Sequence, residues 1–452
     1  MRNSKVIFIG AGVGNLLAAN YLLRHGVKDF VILEKGKDLK QRSCPCSEKY
    51  HCQNCSICSV TDGVGGANAL NGNKICHFPA SSGVVDFVGE DMVKPALNFI
   101  SSFSSIISKE HHERKQGENH LKYYQSDILI RSDFADLIHN LTKDISDYIQ
   151  RGVEVLKVST LSKEHFRVHT QSEIYETNNI VFGTGRSSYS FLSQYLLENK
   201  YECRQLSQDV GIRIEGPRKL FSSKYYYQVD PKLKFVYSNG IGRTFCAHNQ
   251  GLVVPVKMGD SYYADGAFGN LSSEFNNIAL MVRSNLPLTG ARLEKWAKQI
   301  NNSSSNGLLL GVVRVTSPKE TICQIFKVIN VFPSSVHADL FERLLNDLFI
   351  GEQSILDFSN STGLELRIYG PAIDRYWVRP ILNSDFSIKN NKNVYIIGDA
   401  AGLSRGFLQA MFSGYAWANS FLSKTKQIHT DNDKIWCCGV SPGLLFDSVQ
   451  ER

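Results

Sequence analysis

Apolar residues in this chain come in two textures: unbroken runs toward both ends and alternating ones in the middle. Val6 to Ile9 is a β-branched and aromatic run, which reads as a strand buried on both faces. Leu16, Ala19 and Leu23 then recur at helical spacing, and Phe30 to Glu34 forms a second run. Ile180 to Phe182 and Asn393 to Ile397 repeat the pattern far downstream. Between about Gln205 and Ile368 the texture is alternating: Val210–Glu215, Tyr225–Val229, Arg243–Cys246, Leu252–Val256 and Ala279–Arg283 predict strands of a mostly antiparallel sheet. Leu308 to Thr316 and Glu320 to Val331 read similarly. Helical stripes are expected over Met92–Ile107, Phe134–Arg151, Leu288–Asn301 and from Arg405 to about Phe421. A strand at Val153–Leu156 and a hairpin (Phe166–Thr170, Glu173–Glu176) lead into the third unbroken run. The tail from Thr425 carries little pattern.

Three of the four unbroken runs share a second property, in that each ends in glycine. Gly10, Gly12 and Gly14 follow the first, Gly183 and Gly185 the third, and Gly398-Asp399 the last. A turn without side chains lets a pyrophosphate approach the backbone, while the helix behind it offers free N–H groups and a positive dipole end. Glu34 closes the second strand, where a carboxylate can accept both ribose hydroxyls of an adenosine. Strand, glycine turn, helix and acid in register point to a dinucleotide site. The usual third glycine is Asn15 here, which should push the helix out slightly or turn its amide toward the phosphate. Gly183 and Gly185 would let backbone pass close to the adenine end. The glycine-rich run Asp62 to Lys74, with Gly65 and Gly66, suggests backbone pressed against the diphosphate and flavin edge, or else a surface loop.

These readings give an α/β fold: a Rossmann-like dinucleotide-binding domain, an FAD-binding domain by family resemblance, with an inserted β-rich (α+β) substrate domain. The boundaries are 1–204 (FAD-binding, first part), 205–368 (substrate domain), 369–424 (final FAD-binding strand and helix) and 425–452 (unassigned tail). At 452 residues two or three packed domains are expected.

Composition changes this picture in one place. The formal charge of +7 is modest and spread out, and no basic patch with interleaved aromatics argues for nucleic acid. No run approaches the twenty apolar residues of a membrane span, so a soluble, cytoplasmic protein is expected. Eleven cysteines are many for one, and Cys44, Cys46, Cys52, Cys55 and Cys58 fall in a loop with few apolar residues. The x2 spacing of Cys52, Cys55 and Cys58, with Cys46 or Cys44 as a fourth, suits an Fe–S cluster, tetrahedral zinc (with His51 as a substitute) or a reversible disulfide. A shared metal would order a loop that cannot order itself by a core.

The glycine turn, Glu34, the Gly-Thr-Gly return and Gly398-Asp399 lie in the order of the FAD-binding domain of glutathione-reductase-like flavoproteins. More narrowly, Cys44-Pro45, the Cys52 to Cys58 spacing, Gly63 to Lys74, Val210–Glu215, Arg243–Cys246 and Gly398 to Gly406 resemble an uncharacterised bacterial family of FAD-dependent dehydrogenases. The resemblance implies FAD as cofactor, with Asp399 on a ribityl hydroxyl. It also implies that the backbone of Arg405, Gly406 and Phe407 faces the flavin pyrimidine and that Lys74 lies near the cofactor; Lys35, beside Glu34, is a further cofactor-binding candidate.

No second strand-glycine-helix unit occurs between residues 190 and 390. Electrons must therefore come from transiently bound NAD(P)H, from the small-molecule substrate or from a protein donor. The expected function is a dehydrogenase transferring a hydride at flavin N5. The alternatives are a flavin monooxygenase and a non-catalytic FAD or thiol redox sensor. Candidate catalytic residues are Cys246, flanked by Arg243 and His248, together with Lys74 and Arg405. Arg375, Tyr376 and Arg379 are candidates for an anionic substrate.

Overall fold

The computed structural model describes residues 1–44, 55–67, 73–107, 121–122, 126–185, 188–223, 231–268, 273–304, 308–374 and 378–437. Cys46, His51, Cys52, Arg375, Tyr376 and the expected strand Tyr225–Val229 lie outside them. The fold is mixed α/β. Its first sheet is ordered Ser387–Ile388, Asn391–Ile396, Ile174–Phe182, Arg2–Ile9, Phe30–Glu34 and Ile149–Arg151. Every pair in that path except the first is parallel. The apolar runs are continuous because both faces are covered: Val6 to Phe8 are fully buried and Phe30 to Glu34 is buried throughout.

The second sheet is antiparallel and seven-stranded. Its order is Leu309–Arg314, Glu365–Asp374, Asp209–Pro217, Phe275–Ser284, Gly240–His248, Lys232–Tyr237 and Leu121–Lys122. A separate ribbon, Gly251–Met258 with Ser261–Phe268, pairs only with itself among the described residues. Glu365–Asp374 runs through the boundary placed at 368, so this sheet ends later than its composition suggested.

Three expectations are corrected. Glu320 to Val331 is not a strand; all but its last two residues belong to a helix, Pro318–Ile329. Ser317 caps it by accepting from the Glu320 N–H, Pro318 opens it, and Ile322, Ile325 and Ile329 fall on one buried stripe. The stripe expected over Phe134–Arg151 stops at Thr142. A single turn then frees Ile149–Arg151 to become an edge strand beside Phe30–Glu34. The helix expected to Ile107 ends at Ile100. A further helix, Ser335–Phe349, was not anticipated and covers the antiparallel sheet with Leu340, Phe341, Leu344 and Leu345.

The final helix, Phe407–Cys437, runs well past Phe421 and crosses the first helix, Val13–Arg24. That crossing is close: a Cβ on Gly414 would stand 2.1 Å from the Gly14 carbonyl oxygen, and one on Gly14 2.9 Å from that of Ala410.

Candidate functional site

The site begins where the first strand stops. Gly10 takes a φ of +91°, a region open to glycine, and a Cβ on Gly10 or Gly12 would lie 3.0 Å from the Gly183 carbonyl oxygen. Gly12 is the N-cap of the first helix and brings no side chain to it, leaving the leading N–H groups to whatever lies in front. Asn15 turns the N–H end of its amide toward the strand end. Its Nδ2 donates to the carbonyls of Ile9 (3.1 Å) and Gly10 (2.7 Å), tying the helix back to the strand end. The side chain fills the space a Cβ on Gly183 would need.

Glu34 is buried, and both of its oxygens are engaged by backbone. Oε2 accepts from the Ala11 N–H and Oε1 from the Gly36 N–H, each at 2.7 Å. Burial raises its pKa, against the pull of those two N–H groups. Each carboxylate oxygen keeps a further lone pair.

The loop after Glu34 holds a residue that the sequence reading passed over. Arg42 is buried, and its guanidinium donates to the carbonyls of Ser59, Val60, Val64 and Gly66 at 2.7–3.2 Å. Burial brings its pKa down to about 10, with Glu34 and Asp62 opposing. One cation thus gathers the carbonyls of a segment for which a metal was expected. Among the described residues no group of three or more His, Cys, Asp or Glu can hold a metal ion. Cys55 and Cys58 are free thiols, so the described residues give the Fe–S and zinc expectation no support.

A cavity of about 670 Å³ connects the two sheets. Glu34, Lys35, Cys55 and Cys58 line one end. Gly10, Gly12, Gly14, Gly183 and Gly185 follow, with Gly65 and Gly66 across from them. Lys74, Gly398, Asp399, Arg405, Gly406 and Phe407 line the middle, and Cys246 lies at the antiparallel-sheet end. Of the described candidates, Asn15, Cys44 and Arg379 do not line it. Thr184 does, and its buried hydroxyl has no hydrogen-bond partner there. The glycine cradle, the uncapped helix start and this orphan hydroxyl are a fit for a dinucleotide.

Two candidates meet partners not foreseen. Arg405 pairs with Asp374, whose carboxylate also takes Arg243 at 2.5 Å. Arg243 reaches Asp209 at 2.6 Å, and Arg283 closes on the same carboxylate with two bonds of 2.7 Å. Asp209 is fully buried; desolvation pushes its pKa up, but the guanidiniums outweigh that and hold it below the usual range. Arg243 is therefore committed to carboxylates rather than to the neighbouring thiol. Cys246 sits at a bulge between Phe245 and His248 with a φ of +43°, a strained value for a residue with a side chain. Its carbonyl accepts from Arg213 Nη1 at 2.9 Å.

No protein-family model matches the chain, and no curated protein matches it, so the resemblance to the uncharacterised dehydrogenase family stands unsupported by those comparisons. Solved structures with a similar course do exist. One is described as an FAD-containing monooxygenase from Photorhabdus luminescens (13% identity, 94% of this chain and 89% of that one, TM-score 0.39). Another is 2,6-dihydroxypyridine-3-hydroxylase from Arthrobacter nicotinovorans (12%, 95% and 84%, TM-score 0.37). A third is the tetracycline destructase Tet(51) (12%, 95% and 84%, TM-score 0.37). Likeness this slight decides nothing about activity. What bears on function is the geometry of the cavity. No helix among the described residues is long and apolar enough to cross a membrane.

Proposed function

We propose that the chain is an FAD-dependent oxidoreductase of a small organic molecule. The observation that carries this is one continuous cavity lined both by the glycine turn with its uncapped helix start and by residues of the antiparallel sheet. Glu34 would hold the adenosine ribose and the first helix the diphosphate. Asp399 would take a ribityl hydroxyl, and the backbone from Arg405 to Phe407 would face the pyrimidine ring. FAD would supply the two-electron chemistry, and the chain's share is orientation, electrostatics and exclusion of water. Lys74 borders the middle of the cavity and Cys246 its far end, as candidates to contact the reacting groups.

Of the reactions considered, monooxygenation is preferred to simple dehydrogenation. The described residues contain one strand-glycine-helix unit, so a nicotinamide cofactor would visit the shared cavity and leave it. The reaction would then be substrate plus O2, NAD(P)H and a proton giving hydroxylated substrate, water and NAD(P)+. The names of the neighbouring structures lean the same way without carrying the argument.

The test starts with the absorption spectrum of purified protein and identification of the released cofactor. Flavin bands from FAD, with NAD(P)H oxidation matched one-to-one by oxygen uptake and product, support the proposal. Anaerobic bleaching of the flavin by substrate alone would restore the dehydrogenase. Protein that neither carries nor takes up FAD would overturn both.

A further inference from the structure

We propose that Arg42 is the positioning residue for the adenosine diphosphate half of the cofactor, fastening residues 59–66 as a second wall against the glycine turn. The proposal deepens the FAD reading and rests on it. Arg42 does not line the cavity, so it acts on a ligand only through its neighbours.

Those neighbours cannot hold themselves. Residues 55–67 form neither helix nor strand, yet Val60 and residues 62–65 are buried, so their carbonyls need donors from elsewhere. Arg42 supplies them from a single side chain. Its Nε donates to the Ser59 carbonyl at 2.9 Å and its Nη2 to that of Val60 at 3.2 Å. Its Nη1 donates to the carbonyls of Val64 at 3.1 Å and Gly66 at 2.7 Å. A guanidinium is planar and rigid, so the four carbonyls are fixed relative to one another. A Cβ on Gly63 would stand 2.8 Å from Arg42 Cδ, which shows how tightly the segment wraps the side chain.

On its other side the segment is bonded to the cofactor cradle. The Gly65 N–H donates to the Ala11 carbonyl at 3.0 Å, and the Ala11 N–H is the one that Glu34 Oε2 accepts. Gly36, whose N–H occupies Glu34 Oε1, lies so close to the segment that a Cβ on it would stand 2.5 Å from the Gly63 nitrogen. A Cβ on Gly66 would stand 3.5 Å from Gly12 Cα. Glu34, the glycine turn and residues 59–66 are thus one unit with Arg42 behind it. The FAD reading gives that unit to the adenosine diphosphate and gives the flavin ring to the backbone from Arg405 to Phe407. Loss of Arg42 should therefore loosen one half of the cofactor and leave the electronic surroundings of the other as they are.

Titration of the whole chain, stripped of flavin, with FAD and with ADP separates the two halves. Arg42→Met keeps most of the side chain's bulk and removes its donors. It should weaken FAD and ADP by the same factor, about thirtyfold or more. At saturating FAD the bound flavin should keep the absorption maxima and midpoint potential of the native protein. Unchanged affinity for either ligand, or a shifted flavin potential, overturns the proposal. Arg42→Lys keeps the charge, which Glu34 and Asp62 feel, but puts a point charge in place of the fork. It should lose most of the same affinity, and full native affinity would assign the effect to charge and overturn the fastening role. If Arg42→Met does not fold, hydrogen exchange in the unchanged chain decides. Amides of residues 59–66 should gain protection with ADP as they do with FAD, and no gain with ADP overturns the proposal. A native chain that binds ADP but not FAD ends the flavin reading and leaves Arg42 to be tested on ADP. One that binds neither ends both.

Discussion

The two sheets reach the same cavity with opposite materials. On the parallel side the contacts are backbone against backbone: Gly10 and Gly12 on the Gly183 carbonyl, Gly414 on that of Gly14. On the antiparallel side they are charge against charge, with Asp209 and Asp374 threaded between three arginines. The first arrangement tolerates almost no added volume and is indifferent to acid. The second tolerates small changes of shape and depends on every charge being present. A cofactor's backbone-cradled phosphates and a variable substrate would ask for that division.

The sharpest way to break the comparison is to remove one charge. Asp209→Asn leaves Arg243 and Arg283 facing a neutral amide at a fully buried position, and breaking a buried pair costs roughly 3–5 kcal/mol. Urea unfolding should show that loss, and a change within error would mean the arginines find other partners.

Acid should separate the two halves next. Burial, with Arg292 adding to it, lowers the pKa of His337 on the helix over the antiparallel sheet to about 4 from an ordinary 6.5. The fold thus favours the neutral ring. Its contribution is complete above pH 6.5 and is lost as pH falls toward 4, by about 3 kcal/mol at 1.36 kcal/mol per unit. Stability measured from pH 7 to 4 should fall more steeply in the native chain than in His337→Gln. Parallel curves would remove His337 from the account.

The smallest effect expected is on the parallel side. Gly414→Ala adds one methyl against the Gly14 carbonyl, and such overpacking costs about 1–3 kcal/mol. Because the shifted helix carries Phe407 and Ala410 into the cavity, FAD should also dissociate faster. A neutral Gly414→Ala would show that the crossing can open without consequence.

The two halves also differed in how far the sequence revealed them. Gly10 to Glu34 is a local pattern in which strand, turn, helix and acid follow within thirty residues, so its parts interpret one another. The antiparallel network is assembled from residues far apart in the chain. Arg243 meets Asp374 across 131 positions, and no periodicity marks either residue. Arg213 sat inside an expected strand but gave no sign that its side chain turns inward among Cys246, His248 and Asn277. Arg42 was hidden for a related reason. The neighbouring cysteines offered a ready motif, while an arginine that gathers carbonyls has none. The helix Pro318–Ile329 was legible in Ser317-Pro318 and Glu320, but its isoleucines were read as alternation.

The crossing of Gly14 and Gly414 has a consequence for synthesis. The glycine turn is made first of the two, and the helix that completes its surroundings follows some 400 residues later. At 5–20 residues per second that interval is roughly 20–80 s. Throughout it the first helix, whose Leu16, Leu17 and Ala18 are fully buried in the finished fold, lacks the final helix that it crosses. Few local contacts can substitute, since parallel pairing such as Val394 with Ile180 is itself long-range. The nascent chain is therefore a natural client for chaperones across that interval, and the cavity cannot be completed before the later of the two helices is made.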